Sequence, residues 1–71
     1  MVKPTLVTNT IRAWREQTGM TQAELAALIG VTRQTLIAIE QGKYSPTLEL
    51  AFQIAHAFDV GIDDVFQYPE A

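Results

Sequence analysis

Apolar side chains recur at helical spacing along almost the whole chain. Between Gln22 and Gly42, the residues Leu25, Ile29, Leu36 and Ile39 fall on one side, with Val31 between the two groups. The pattern predicts two short helices joined by a tight turn at Gly30-Val31-Thr32. Ala26 is small where the two helices must come closest, and Gly30 tolerates the left-handed backbone that stops the first of them. Upstream, Ile11 and Trp14 at i, i+3 predict a helix over 10–18 that Gly19 ends. Downstream, Leu48, Ala51, Ile54, Ala55 and Phe58 predict core positions of a helix over 47–58. After a break at Asp59-Val60-Gly61, residues 62–66 predict a last short helix. No stretch alternates with period two in the core. The expectation is one all-α domain of five helices with no core strand.

Polar residues mark the helix starts. Asn9 is the candidate N-cap of the first helix, and Thr32 of the third. Thr21 and Glu24 have the spacing of a capping box, in which each side chain takes the other residue's backbone amide. Met20 can pack back on that helix. Asp63 and Asp64 sit favourably near the start of the fifth helix. The organisation is therefore an N-terminal arm over 1–8, a domain over 9–66 and a loose C-terminal tail over 67–71. The arm has two readings: a frayed terminus, or a segment that pairs with another subunit or lies along a ligand.

Seventy-one residues allow one small core. With no cysteine and a single histidine, His56 on the outer face of the fourth helix, neither a disulfide nor a His/Cys metal cluster is expected. No apolar run approaches a membrane span, and the first 20 residues lack a signal-peptide layout. A soluble, cytoplasmic protein is the expectation. The net charge of −3 argues against a polyanionic partner, but its distribution changes that picture. Lys3, Arg12, Arg15, Arg33 and Lys43 all lie in residues 1–48, against Glu16, Glu24 and Glu40. Residues 49–71 carry Glu49, Asp59, Asp63, Asp64 and Glu70 and no Lys or Arg. One half is mildly basic and the other acidic, as suits a molecule that turns one face to phosphates.

Two helices joined by so short a turn form a helix-turn-helix, whose second helix can enter a DNA major groove. The side chains fit that role. Arg33 and Gln34 open the third helix, where an Arg matches guanine O6/N7 and a Gln matches adenine N6/N7. Gln34, Ala38 and Gln41 lie on the outer face, with Ile37 beside them as a candidate contact to a thymine methyl. Gln22 opens the second helix, where the helix dipole and exposed amides favour a phosphate. Gln41, Gly42, Lys43 and Tyr44 can supply a second phosphate clamp, or form a plain exposed loop. Arg15 and Glu40 lie near the core boundary and are expected to pair, pinning the first helix to the third; a phosphate contact is the minor reading for Arg15. Trp14 reads as core filler rather than a stacking platform. Asp63, Asp64 and Glu70 have no nucleophile, base partner or phosphate loop nearby, so no enzyme is expected.

In these residues the chain resembles the lambda-repressor-like, Xre-type helix-turn-helix regulators. The resemblance spans about residues 9–66. Its carriers are Ile11-Arg12-x-Trp14-Arg15, Gly19-Met20-Thr21-Gln22-x-Glu24-Leu25-Ala26 and Ile29-Gly30-Val31-Thr32-Arg33-Gln34-Thr35-Leu36. Ile39-Glu40-Gln41-Gly42-Lys43-Tyr44-Ser45-Pro46 and Val60-Gly61-Ile62-Asp63-Asp64-Val65-Phe66 continue it. The resemblance implies base contacts from Arg33, Gln34 and Ala38, phosphate contacts from Gln22, Thr32 and Thr35 at the groove edge, and an internal Arg15–Glu40 pair. It implies a sequence-specific regulator of transcription, a repressor binding a double-stranded operator as a homodimer, without a cofactor or small-molecule ligand. The dimer surface is expected at the fifth helix, with Phe66 and Tyr68 or the arm contributing. Trp14 departs from the family's usual Leu, Gln41 from Asn or Arg, and Leu28 and Ile37 from polar residues. A second expectation is an antitoxin-like protein-interaction module on the same fold, which the acidic balance and few cations favour.

Overall fold

The computed structural model describes residues 5–43 and 45–69. In chain order it contains β1 (Thr8–Asn9), α1 (Ile11–Thr18), α2 (Gln22–Ile29), α3 (Arg33–Glu40), α4 (Leu48–Ala57), α5 (Ile62–Val65) and β2 (Phe66–Gln67). The five predicted helices are all present. Three of them begin on a threonine whose hydroxyl accepts the amide three residues on: Thr21 from Glu24, Thr32 from Thr35 and Thr47 from Leu50, each at 3.1 Å. Each bond satisfies an amide that the helix itself leaves without a partner. α1 begins differently. Its cap position is Thr10, one residue after the predicted Asn9, although the Asn9 Oδ1 does accept the Ile11 amide at 3.2 Å.

Ile11, Leu25, Leu36, Ile39, Ile54 and Val65 are fully buried and come from all five helices. Ala26, Ile29, Ala55 and Phe58 complete the cluster, with Val31 and Met20 packed on its margin. Burying each large aliphatic side chain stabilises the fold by about 1.5–3 kcal/mol. Trp14 lies half-buried and stacks on Phe58 at 6.2 Å between ring centroids. Its indole N–H donates to the Asp64 carbonyl at 3.1 Å, so the polar atom of this core aromatic is satisfied.

Two expectations are corrected. Leu48 was expected in the core and is 70 % exposed. It opens the first turn of α4, ahead of Ala51, the first buried residue of that helix, and Leu50 packs against the core in its place. The second correction concerns the chain ends. Thr8 and Asn9 pair antiparallel with Gln67 and Phe66, so a short ribbon outside the core stands where an arm ending at Thr8, a helix reaching Phe66 and a loose Gln67 were expected. The Thr10 amide and hydroxyl extend it with bonds to the Val65 carbonyl at 2.8 Å and the Asp64 carbonyl at 3.0 Å. Two residues per strand are too few to leave a period-two signature in sequence. The readings made for Met1–Pro4, Tyr44 and Glu70 lie outside the described residues.

Candidate nucleic-acid interface

The turn between α2 and α3 follows from its residues. Gly30 takes φ +75°, which lets the Val31 amide turn back to the Ala26 carbonyl at 3.0 Å and closes the helix end. Two residues later Thr32 adopts an extended backbone and caps α3. Its hydroxyl also meets that of Thr35 at 2.9 Å, so the two threonines expected at phosphates bond each other. α3 then ends in a second closed turn. Gly42 takes φ +72°, its amide donates to the Ile39 carbonyl, and the Lys43 amide donates to the Ala38 carbonyl, both at 3.0 Å.

α1, the start of α2 and α3 enclose a groove of about 650 Å³. Gln22, Arg33, Ile37 and Gln41 line it together with Arg15 and Glu40. Gln34 and Lys43 are exposed outside it, and Ala38 and Thr35 are half-buried. The residues expected at bases and phosphates thus divide between the groove and the adjoining surface of α3. Among the described residues, neither Arg33 nor Gln34 has a side-chain hydrogen bond or ion pair. The Arg33 guanidinium, a donor, and the Gln34 carboxamide, a donor and an acceptor, remain available for a partner.

Arg15 and Glu40 form the expected pair. The Arg15 Nε donates to one carboxylate oxygen at 2.8 Å and an Nη to the other at 3.0 Å, a two-point fork. The second Nη donates to the Met20 carbonyl at 3.3 Å, and the side chains are only 11 % and 8 % exposed. The Gln22 amide reaches the same carboxylate at 3.4 Å. Gln22 therefore stands at the mouth of the groove, between Glu40 and the positive end of α2. That end is fixed by the predicted capping box: Glu24 accepts the Thr21 amide at 2.9 Å, which holds the Glu24 carboxyl below its ordinary pKa.

Arg12 and Glu16 also line the groove, and neither was singled out by sequence. Their carboxylate–guanidinium separation of 3.9 Å, with both side chains largely exposed, marks a weak surface pair. The signal for Arg12 was its position three residues before Arg15, which puts both on one side of α1. A third feature was invisible in sequence: the Asn9 side chain donates to the Ile39 carbonyl at 2.9 Å. Among the described residues no group of acidic or His side chains could hold a metal ion, and no helix is long and apolar enough to cross a membrane.

Residues 11–65 match the helix-turn-helix family HTH_3. The chain is 50 % identical over 62 residues to an uncharacterised HTH-type transcriptional regulator of Methanocaldococcus jannaschii, covering 87 % of this chain and 94 % of that one. It is 32 % identical over 59 residues to the antitoxin HipB of Escherichia coli, covering 83 % and 67 % of the two. Among solved structures, the restriction-modification controller protein C.AhdI of Aeromonas hydrophila aligns with a TM-score of 0.70 at 28 % identity, covering 76 % and 78 %. The family is DNA-binding rather than enzymatic. This chain belongs to the lambda-repressor-like, Xre-type helix-turn-helix family of transcriptional regulators.

Proposed function

We propose that this protein is a cytoplasmic repressor that binds a short operator as a homodimer and reads the major groove with α3. The observation that carries the reading is the first turn of α3. Arg33 and Gln34 stand exposed there on a helix that Thr32 caps and the Arg15–Glu40 fork braces. Arg33, Gln34, Ala38 and Ile37 are the base-reading residues; Gln22, Thr32, Thr35, Gln41, Lys43 and Tyr44 serve the phosphates. Gln22 keeps a second amide hydrogen for phosphate beside the one it gives Glu40, and whichever threonine hydroxyl of the Thr32–Thr35 pair accepts keeps its own hydrogen to donate. A single short helix spans too few base pairs for useful discrimination, so two copies on half-sites about 34 Å apart are required. Occupancy of the operator alone is enough to repress.

Selection of bound duplexes from a random pool at about 0.1 M salt tests this, because phosphate contacts still register at that ionic strength. A palindrome with half-sites one helical turn apart supports the reading. The likeness to the antitoxin HipB and the net charge of −3 support a second reading, a protein-binding module with weak DNA affinity. No enrichment of any duplex by the folded protein would favour that one.

A further inference from the structure

Asn9 lies in β1, outside the helix-turn-helix, yet its side chain reaches the far end of α3. Its Nδ2 donates to the Ile39 carbonyl at 2.9 Å while its Oδ1 accepts the Ile11 amide at 3.2 Å. A carboxamide donates only through nitrogen and accepts only through oxygen, so these two backbone partners fix its orientation between them. The Ile39 carbonyl is among the last four of α3, which the helix leaves without intrahelical partners. It also accepts the Gly42 amide at 3.0 Å, which places two donors on one oxygen. Gly42 sits in the Gln41–Gly42–Lys43 turn, whose amides all turn back to α3 carbonyls and whose Gln41 and Lys43 side chains are exposed on the surface assigned above to phosphate. One residue after Ile39, Glu40 takes the fork from Arg15. Adjacent residues of the last turn of α3 are thus held by β1 and by α1.

The platform from which Asn9 reaches is itself fixed. Asn9 pairs with Phe66 and Thr8 with Gln67, and the next amide, that of Thr10, donates to the Val65 carbonyl. A chain of bonds runs from the C-terminal ribbon through Asn9 to the turn after α3.

We propose that Asn9 is a positioning residue for DNA binding, tethering the last turn of α3 and the Gln41–Lys43 turn to the terminal ribbon without touching DNA. The inference rests on the DNA reading proposed above. Without the tether, the Ile39 carbonyl keeps one donor of two, and the turn that carries the Gln41 and Lys43 side chains loosens. Base reading by the first turn of α3 is untouched. The signature of losing Asn9 is therefore weaker binding with the base preference set by Arg33 and Gln34 unchanged.

Asn9→Asp cuts the tether, since it keeps an acceptor for Ile11 and has no donor for Ile39, but it adds a negative charge that weakens DNA binding by itself. Asn9→Ser makes the same cut without adding charge, and stands in if the Asp variant does not fold. Both are compared with the wild-type chain by duplex titration across a salt series and by amide exchange at Gly42 and Lys43 without DNA. The expected result is about tenfold weaker binding, the worth of one net hydrogen bond. The salt slope should be shallower by about one phosphate, with the preference set by Arg33 and Gln34 retained and faster exchange at Gly42. Wild-type affinity, slope and exchange in a folded variant would overturn the inference while leaving the DNA reading intact. Failure of the wild-type chain to bind any duplex would overturn both, and faster Gly42 exchange would then mark the tether as a feature of the fold alone.

Discussion

The first turn of α3 carries Arg33 and Gln34 into solvent with no partner among the described residues, whereas its last turn is held at several points. There the Ile39 carbonyl takes Asn9 and Gly42, and the Glu40 carboxylate takes Arg15 and Gln22. The difference separates two demands on one eight-residue helix. A side chain that reads bases must have unspent donors and acceptors, and the backbone under it must not shift by a base-pair step. Bracing one end fixes the helix, and leaving the other end unpaired keeps its side chains for the ligand.

Breaking the braced end should have the largest effect. Arg15→Ala strands a Glu40 carboxylate that is almost fully covered, and Glu40→Ala strands the guanidinium. Each is expected to destabilise the fold by about 3–5 kcal/mol in urea unfolding, and the double variant by clearly less than the sum. Losses under about 1 kcal/mol, the range of an exposed pair, would remove the brace from the account. Arg33→Ala, at the other end, should leave unfolding within about 0.5 kcal/mol of wild type. It should weaken operator binding by about 1–3 kcal/mol at one base position, read by titration against single-base variants. Thr32→Ala probes the junction of the two regimes. Loss of its cap should cost about 0.5–2 kcal/mol of stability, seen as a lower urea midpoint with an unchanged slope.

The smallest effect concerns pH. Glu24 accepts the backbone amide of Thr21 and also faces its hydroxyl, and both bonds favour the carboxylate. Its folded pKa lies below the unfolded one, so the folded state binds fewer protons and the box adds stability at higher pH. That contribution is complete above the ordinary glutamate value of about 4.3 and is lost as pH falls through the lowered folded value. Glu24→Gln should flatten this acid limb of the stability curve. A limb of the same steepness in the variant would assign it to other carboxylates.

The five helices were legible because local signals coincide: the caps at Thr21 and Thr32, glycines at helix ends and an apolar stripe on each longer helix all point to the same boundaries. The Arg15–Glu40 pair was legible for a related reason, since each residue lies at the margin of a core stripe. The terminal ribbon was not, because a two-residue pairing depends on where α5 delivers Phe66, which no local pattern encodes. Asn9 shows both sides. Its capping chemistry was readable, and its oxygen does take the Ile11 amide. The bond from its nitrogen to Ile39 spans 30 positions and exists only after the bundle has closed. Leu48 failed in the opposite sense: it keeps the helical spacing of the core stripe but lies a turn before the first buried residue of α4. Arg12 and Glu16 were passed over because an exposed i, i+4 pair is ordinary in any helix; only the groove gives them a place.

The central claim is that the unpaired Arg33 and Gln34 of the first turn of α3 read bases from a helix whose last turn is braced. Selection from one randomised duplex pool, run in parallel with wild-type and Arg33→Ala protein at about 0.1 M salt, tests it most directly. The account predicts one palindromic motif from the wild-type chain and, from the variant, the same motif with preference lost at a single symmetric position in each half-site. An identical motif from both proteins would contradict it.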